Sequence, residues 1–195
     1  INTMEGGLLV TDDKEIYQIL LSLRAHGWVR ELPKKNFVMN KYGDSFKDSF
    51  SFALPGYNVR PLEFSAALGI EQIKKLPHVL EMRRKNAKIF QEIMQNHPDI
   101  MIQKEIGHSS WFGFSLIIKQ GSKINRNQLL TKLNKLGFET RPISAGNFAR
   151  NKVLKYFNYE IKGDLKNSDY LDRNGIVIGN NHADLTEAIK ILKKI

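Results

Sequence analysis

The run from Trp111 to Lys119 places Phe112, Phe114, Leu116 and Ile118 at every second position. Period two marks a strand with one buried face. On both sides the apolar period changes to that of a helix. Before it, Leu80, Ala87, Phe90, Ile93 and Met94 share a helical face. After it, Leu129, Leu130, Leu133 and Leu136 do the same, and Gly137 closes that helix. Such alternation of strand and helix restricts the chain to mixed architectures and predicts an α/β class.

The rest of the chain extends the pattern. Leu8–Thr11 predicts a strand, and Thr11-Asp12-Asp13 caps a helix with Ile16, Ile19, Leu20 and Leu23 on its apolar face. Residues 28–55 predict a long, aromatic-rich loop, and long loops within compact domains are commonly functional or interfacial. Pro61 opens a helix carrying Leu62, Ala66, Ala67, Ile70 and Ile73, and Pro77 opens the next. Further strands are expected at 100–102, 138–141 and 176–178, and short helices at 151–156 and 167–174. Asp184 caps the last helix. The sequence changes character near residues 97–100, which predicts domains at 1–97 and 98–195.

Thirty Lys and Arg against twenty Asp and Glu leave a net charge of +10. The lysines are scattered rather than grouped, so this charge reads as solvated surface and not as a nucleic-acid face. Cysteine is absent. Disulfides, thiolate metal sites and cysteine nucleophiles are thereby excluded, and a reducing cytoplasm suits the composition. No apolar run approaches a membrane span. The five histidines have no zinc-ligand spacing, so no metal site is expected, and no P-loop, dinucleotide fingerprint or nucleophile elbow occurs. Ile1 is not an initiator methionine, and the first pattern starts at once. The sequence therefore reads as a piece of a longer protein.

Three segments carry more than packing requires. Thr3-Met4-Glu5-Gly6-Gly7 sets a glycine pair before the first expected strand. Pro55-Gly56-Tyr57-Asn58-Val59-Arg60-Pro61 puts an amide and a guanidinium at an expected helix entrance, a suitable place for a phosphate or simply a cap beside a surface arginine. Glu139-Thr140-Arg141-Pro142 ends a strand with opposite charges, either a site or an ordinary surface ion pair.

Together with Leu23-Arg24-Ala25-His26-Gly27, Ala66-Ala67-Leu68-Gly69, Gln72 and the Gly137-Phe138 entry to the last segment, these motifs resemble the DegT-type branch of the fold-type I, pyridoxal-phosphate-dependent sugar aminotransferases. The resemblance runs over nearly the whole chain and corresponds to the second half of a family subunit. It implies the end of the large cofactor-binding domain followed by a smaller C-terminal α/β domain. Members commonly read Gly-Glu-Gly-Gly where this chain has Met4-Glu5-Gly6-Gly7. That departure, with Arg24-Ala25-His26-Gly27-Trp28 and Ser110-Trp111-Phe112-Gly113-Phe114, is similar to members that remove the 3-hydroxyl of a GDP-linked 4-keto-6-deoxyhexose.

The resemblance implies pyridoxal or pyridoxamine 5'-phosphate as cofactor, L-glutamate as the source that regenerates the amine, and a homodimer. It implies a cytoplasmic enzyme of O-antigen deoxysugar biosynthesis that binds neither nucleic acid nor membrane. The catalytic residue falls just upstream of Ile1, so no catalytic residue lies within the chain and these residues alone are expected to be inactive. Histidine there implies dehydration; lysine implies a 4-aminotransferase of the perosamine-synthase type. A non-catalytic binding piece is the third reading. By position, Asn58 matches the residue that reaches the cofactor phosphate across the subunit interface. Arg30, His26, Glu139 and Arg141 match positions near the substrate. Arg141 suits a glutamate carboxylate, and Glu139 a proton or a water.

Overall fold

The strand around Phe114 forms the centre of an antiparallel sheet. A computed structural model describes residues 1–195, and the chain divides into two compact units, Ile1–Lys75 and Leu76–Ile195. The division falls inside one long helix, whereas the change in sequence character lies at 97–100.

In the second unit, strands β1 (Ile100–Ile102), β2 (Gly113–Ile118), β3 (Thr140–Arg141) and β4 (Gly175–Gly179) form a sheet of order β1-β2-β4-β3. Every pairing is antiparallel, with Ile100 opposite Ile118, Phe114 opposite Ile178 and Arg141 opposite Val177. Period two in β2 turns Phe114, Leu116 and Ile118 to one face, where they meet Ile176 and Ile178 of β4 in a buried core. Phe90 stacks on Phe114 with ring centroids 4.2 Å apart, and Trp111 approaches Phe90 edge-on at 6.4 Å. Phe112, expected on the same face, is instead 82% exposed. Trp111 has φ +50. This left-handed residue breaks the alternation just before the strand, so Trp111 enters the core in place of Phe112.

The core is closed by three helices: α3 (Glu63–Met94), α4 (Arg126–Lys135) and α6 (Thr186–Ile191). Asn125 caps α4 in a reciprocal capping box with Gln128. Helix α5 is Lys166–Asn174, and the expected helix at 151–156 is a 3-10 turn over Lys152–Tyr156. The segment after β4 is fastened to α3 by two buried asparagines. Asn86 donates to the carbonyl of Ala183 at 2.9 Å and accepts from the Leu185 amide at 3.2 Å, and Asn180 donates to the Trp111 carbonyl at 2.8 Å. Both side chains thus replace the hydrogen bonds they lost to burial.

Pro77 does not begin a helix. It lies inside α3, which is continuous from Glu63. Proline deprives the Ile73 carbonyl of its helical donor. Ile73 and Pro77 are both exposed, so water can meet that carbonyl and the helix continues. Nor does Pro61 sit in a first turn, since α3 starts two residues later.

In the first unit, α1 (Lys14–Leu23) is capped by the Asp13 carboxylate, which accepts from the Glu15 and Ile16 amides. A single short helix, α2 (Ser45–Ser49), interrupts the long loop. The strand expected over Leu8–Thr11 is absent, and Leu8 and Val10 are 87% and 85% exposed. A strand needs a neighbour to satisfy its amides and carbonyls, and this unit offers only isolated bridges. The apolar stripe of Leu62, Ile70 and Ile73 is likewise exposed.

Candidate functional site

Two glycines allow the first unit to cross its own backbone. The segments 22–30 and 51–60 are joined by hydrogen bonds from His26 N to Tyr57 O at 2.7 Å, Tyr57 N to Leu23 O at 2.7 Å, Val59 N to Arg24 O at 3.0 Å and Ala53 N to Gly27 O at 2.8 Å. At the crossing, a Cβ on Gly27 would lie 1.7 Å from the Leu54 carbonyl oxygen, and one on Gly56 would lie 2.0 Å from the Gly27 nitrogen. Only glycine fits either place. His26 and Gly27 turn the chain there with φ +61 and +80, and Ala25 bridges Asn58 while Trp28 bridges Phe52.

This crossing brings His26, Arg30 and Asn58 together with Trp28, Phe52 and Arg60. The Trp28 indole is the common surface. The His26 ring lies 4.7 Å from it and the Phe52 ring 5.7 Å. The Arg30 guanidinium carbon stands 3.8 Å over the indole centroid, and that of Arg60 lies 5.9 Å away. Arg24 pairs with Glu31 at 2.9 Å, but Arg30 and Arg60 form no ion pair in this chain. The Asn58 side chain is exposed and makes no hydrogen bond within the chain. Two free guanidiniums and a free amide suit an anion with several oxygens. A helix N-terminus does not contribute as the sequence predicts, because α3 begins five residues after Asn58.

Glu139 and Arg141 form a second group, in the other unit. Arg141 donates to Glu139 Oε1 from Nη2 at 2.8 Å and from Nε at 3.2 Å. Both side chains are more than 70% exposed, so the pair contributes little to stability and exchanges readily. It borders a cleft of about 460 Å3 lined by Phe112, Phe138, Val177, Leu185, Ala188 and Ile191. The five site residues expected from sequence therefore fall into two groups, one in each unit. Trp28 and Phe52 were not among them. The available signal for Trp28 was its i, i+2, i+4 spacing with His26 and Arg30.

The DegT/DnrJ/EryC1/StrS aminotransferase family profile matches residues 1–193. The chain belongs to this family. Among family relatives, the GDP-4-keto-6-deoxy-D-mannose 3-dehydratase of Yersinia pseudotuberculosis is 56% identical over all of this chain and 51% of its own length. A solved GDP-4-keto-6-deoxymannose-3-dehydratase with a trapped PLP-glutamate geminal diamine superposes with a TM-score of 0.89 at 54% identity, covering 98% of this chain and 50% of that one. A mutant of such an enzyme with bound GDP-perosamine gives 0.86 at 54% identity, covering 95% and 48%. The fold is thus that of the pyridoxal-phosphate-dependent DegT-family enzymes. The chain spans about half the length of the curated relatives it matches. No helix is long and apolar enough to cross a membrane.

Proposed function

We propose that this chain is the C-terminal half of a GDP-4-keto-6-deoxy-D-mannose 3-dehydratase that uses pyridoxal or pyridoxamine phosphate and L-glutamate in O-antigen deoxysugar biosynthesis. The observation that carries the proposal is the 56% identity to such an enzyme along the entire chain. On this reading residues 1–97 complete the cofactor domain and 98–195 form the smaller domain of a cytoplasmic homodimer. Phe46, Phe50, Phe52 and Tyr57, all at least 60% exposed in the isolated chain, then belong to the subunit interface. The missing half would cover the apolar stripe of α3 and supply neighbours for Leu8–Val10.

The residues present fit the cofactor's phosphate, since Asn58 holds a free amide on a rigid glycine crossing with a free guanidinium two residues on. Asn58 would hold a phosphate oxygen of the neighbouring subunit's cofactor through its side-chain amide. When bound, the cofactor would supply a ring that takes up the electron pair left by proton removal. Arg30 binds oxygens of the pyrophosphate or sugar, and His26 borders the same space. Arg141 takes the glutamate carboxylate, which displaces Glu139 from its guanidinium. Glu139, once released, accepts a proton or orients a water. The base that moves the proton at the reacting carbon lies outside this chain.

The full-length protein, incubated with GDP-4-keto-6-deoxymannose, cofactor and L-glutamate, should release ammonia and 2-oxoglutarate and yield a 3-deoxy ketosugar. Formation of a 4-amino sugar instead, without ammonia, would overturn the proposal in favour of amino transfer.

A further inference from the structure

We infer that Trp28 is a positioning residue, an aromatic platform that holds the Arg30 guanidinium in its anion-binding orientation before substrate arrives. The inference rests on the reading of Arg30 as a substrate contact, and goes beyond it by naming what orients the guanidinium. Arginine is flexible, and an exposed one with no ion partner ordinarily samples many rotamers. Arg30 is exposed and has no carboxylate partner, yet its guanidinium carbon lies 3.8 Å over the Trp28 ring centroid. The negative face of an indole attracts such a cation, and tryptophan is the strongest of the aromatic partners.

The platform is itself fixed from several sides. The Trp28 amide donates to the Ala25 carbonyl at 3.0 Å, and the Val29 amide donates to Ser51 O at 3.2 Å. The bridge to Phe52 and the rings of His26 and Phe52 restrain the indole. Lys41 Nζ donates to the Arg30 carbonyl at 2.9 Å and so pins the base of the Arg30 side chain. The indole Nε1 is buried without a hydrogen-bond partner. No local hydrogen bond would be lost if the indole were replaced by a phenyl ring. The aromatic face, rather than the N–H, is therefore the feature in use. With Arg60 5.9 Å from the same ring, two like charges converge on one platform while the nearby Glu31 is taken by Arg24. An anionic oxygen group is the complement to this arrangement.

The test is a double-mutant cycle in the full-length holoenzyme, with GDP binding measured by calorimetry and KM and kcat for the keto-sugar nucleotide measured by ammonia release. Cofactor absorbance checks that each variant is folded. Arg30→Ala should raise both the GDP Kd and KM at least tenfold. Trp28→Leu should raise them roughly 3- to 30-fold, the range expected for losing a cation–π contact. Trp28→Phe should stay within about threefold of the parent, since an aromatic face remains. In Arg30→Ala, adding Trp28→Leu should cause little further loss, because only the more distant Arg60 guanidinium then remains by the platform. If Trp28→Leu does not fold, Trp28→Met, which keeps the bulk and removes the aromatic face, takes its place in the cycle.

Additive losses in the double variant would overturn the inference and leave Trp28 a structural residue. Unchanged binding in Trp28→Leu alongside a weakened Arg30→Ala would also overturn it, while leaving Arg30 as a substrate contact. Unchanged binding in Arg30→Ala would overturn the substrate reading of Arg30, and the inference with it.

Discussion

Replacing Gly56 by alanine adds one methyl group at the point where the two segments of the first unit cross. The new Cβ would stand 2.0 Å from Gly27 N, 2.3 Å from His26 C and 2.7 Å from Gly27 Cα. Ordinary contact begins near 3.4 Å, so the backbones must part by more than an ångström. All three atoms are main chain, so no side-chain rotation relieves the overlap. Overpacking of this kind costs about 1–3 kcal/mol. Parting the two segments also stretches the His26–Tyr57 and Tyr57–Leu23 hydrogen bonds, at about 0.5–1.5 kcal/mol each. A local loss of about 2–6 kcal/mol follows from these terms together. Gly179→Ala is the control, because its Cβ would meet nothing within 4 Å. Amide hydrogen exchange on the full-length protein reads the effect at His26, Tyr57 and Val59, since exchange resolves local opening that a global melt averages. Exchange at these three amides should accelerate by at least tenfold in Gly56→Ala and stay unchanged in Gly179→Ala. Unaltered protection in Gly56→Ala would refute the claim that a backbone crossing holds Asn58, His26 and Arg30 together.

Three other outcomes follow. Asn58→Ala should weaken cofactor binding roughly ten- to hundredfold without unfolding the protein, because a hydrogen bond to an anion is worth about 1.5–3 kcal/mol; titration of the apoprotein with pyridoxal phosphate checks this. Asn86→Ala should lower the unfolding free energy by about 1–3 kcal/mol in denaturant titration, because it removes the side-chain partner of the part-buried Leu185 amide and Ala183 carbonyl. Asp169 accepts from Arg150 and Asn147, and these hydrogen bonds lower its pKa to about 2. A depressed folded pKa means that its contribution is present above the unfolded value and is lost as pH falls from about 4 towards 2. Asp169→Asn should flatten the stability profile across that window, measured as acid unfolding by circular dichroism.

The second unit was largely legible from residue pattern. Period two in β2 and helical period in α3 and α4 are local features, and local features survive in a sequence read by itself. Pro77 and Phe112 were misread because their outcome depends on surroundings. An exposed carbonyl lets a helix continue past proline, and one left-handed residue at Trp111 shifts the buried aromatic by one position. Family membership was legible as well, because the motifs from Thr3 to Arg141 stand in family order. Their assembly was not. Nothing in the spacing of His26, Arg30 and Asn58 says that two glycines cross within van der Waals distance, or that an indole lies under a guanidinium. The crossing joins residues far apart in the chain, and the indole–guanidinium contact, though between near neighbours, depends on the backbone conformation of the folded segment. The sequence by itself determined most elements of the second unit, the cap of α1 and the family. Tertiary structure alone decided which side chains share a surface, because that depends on where the backbone can approach itself, and here only a missing Cβ at Gly27 and Gly56 permits it.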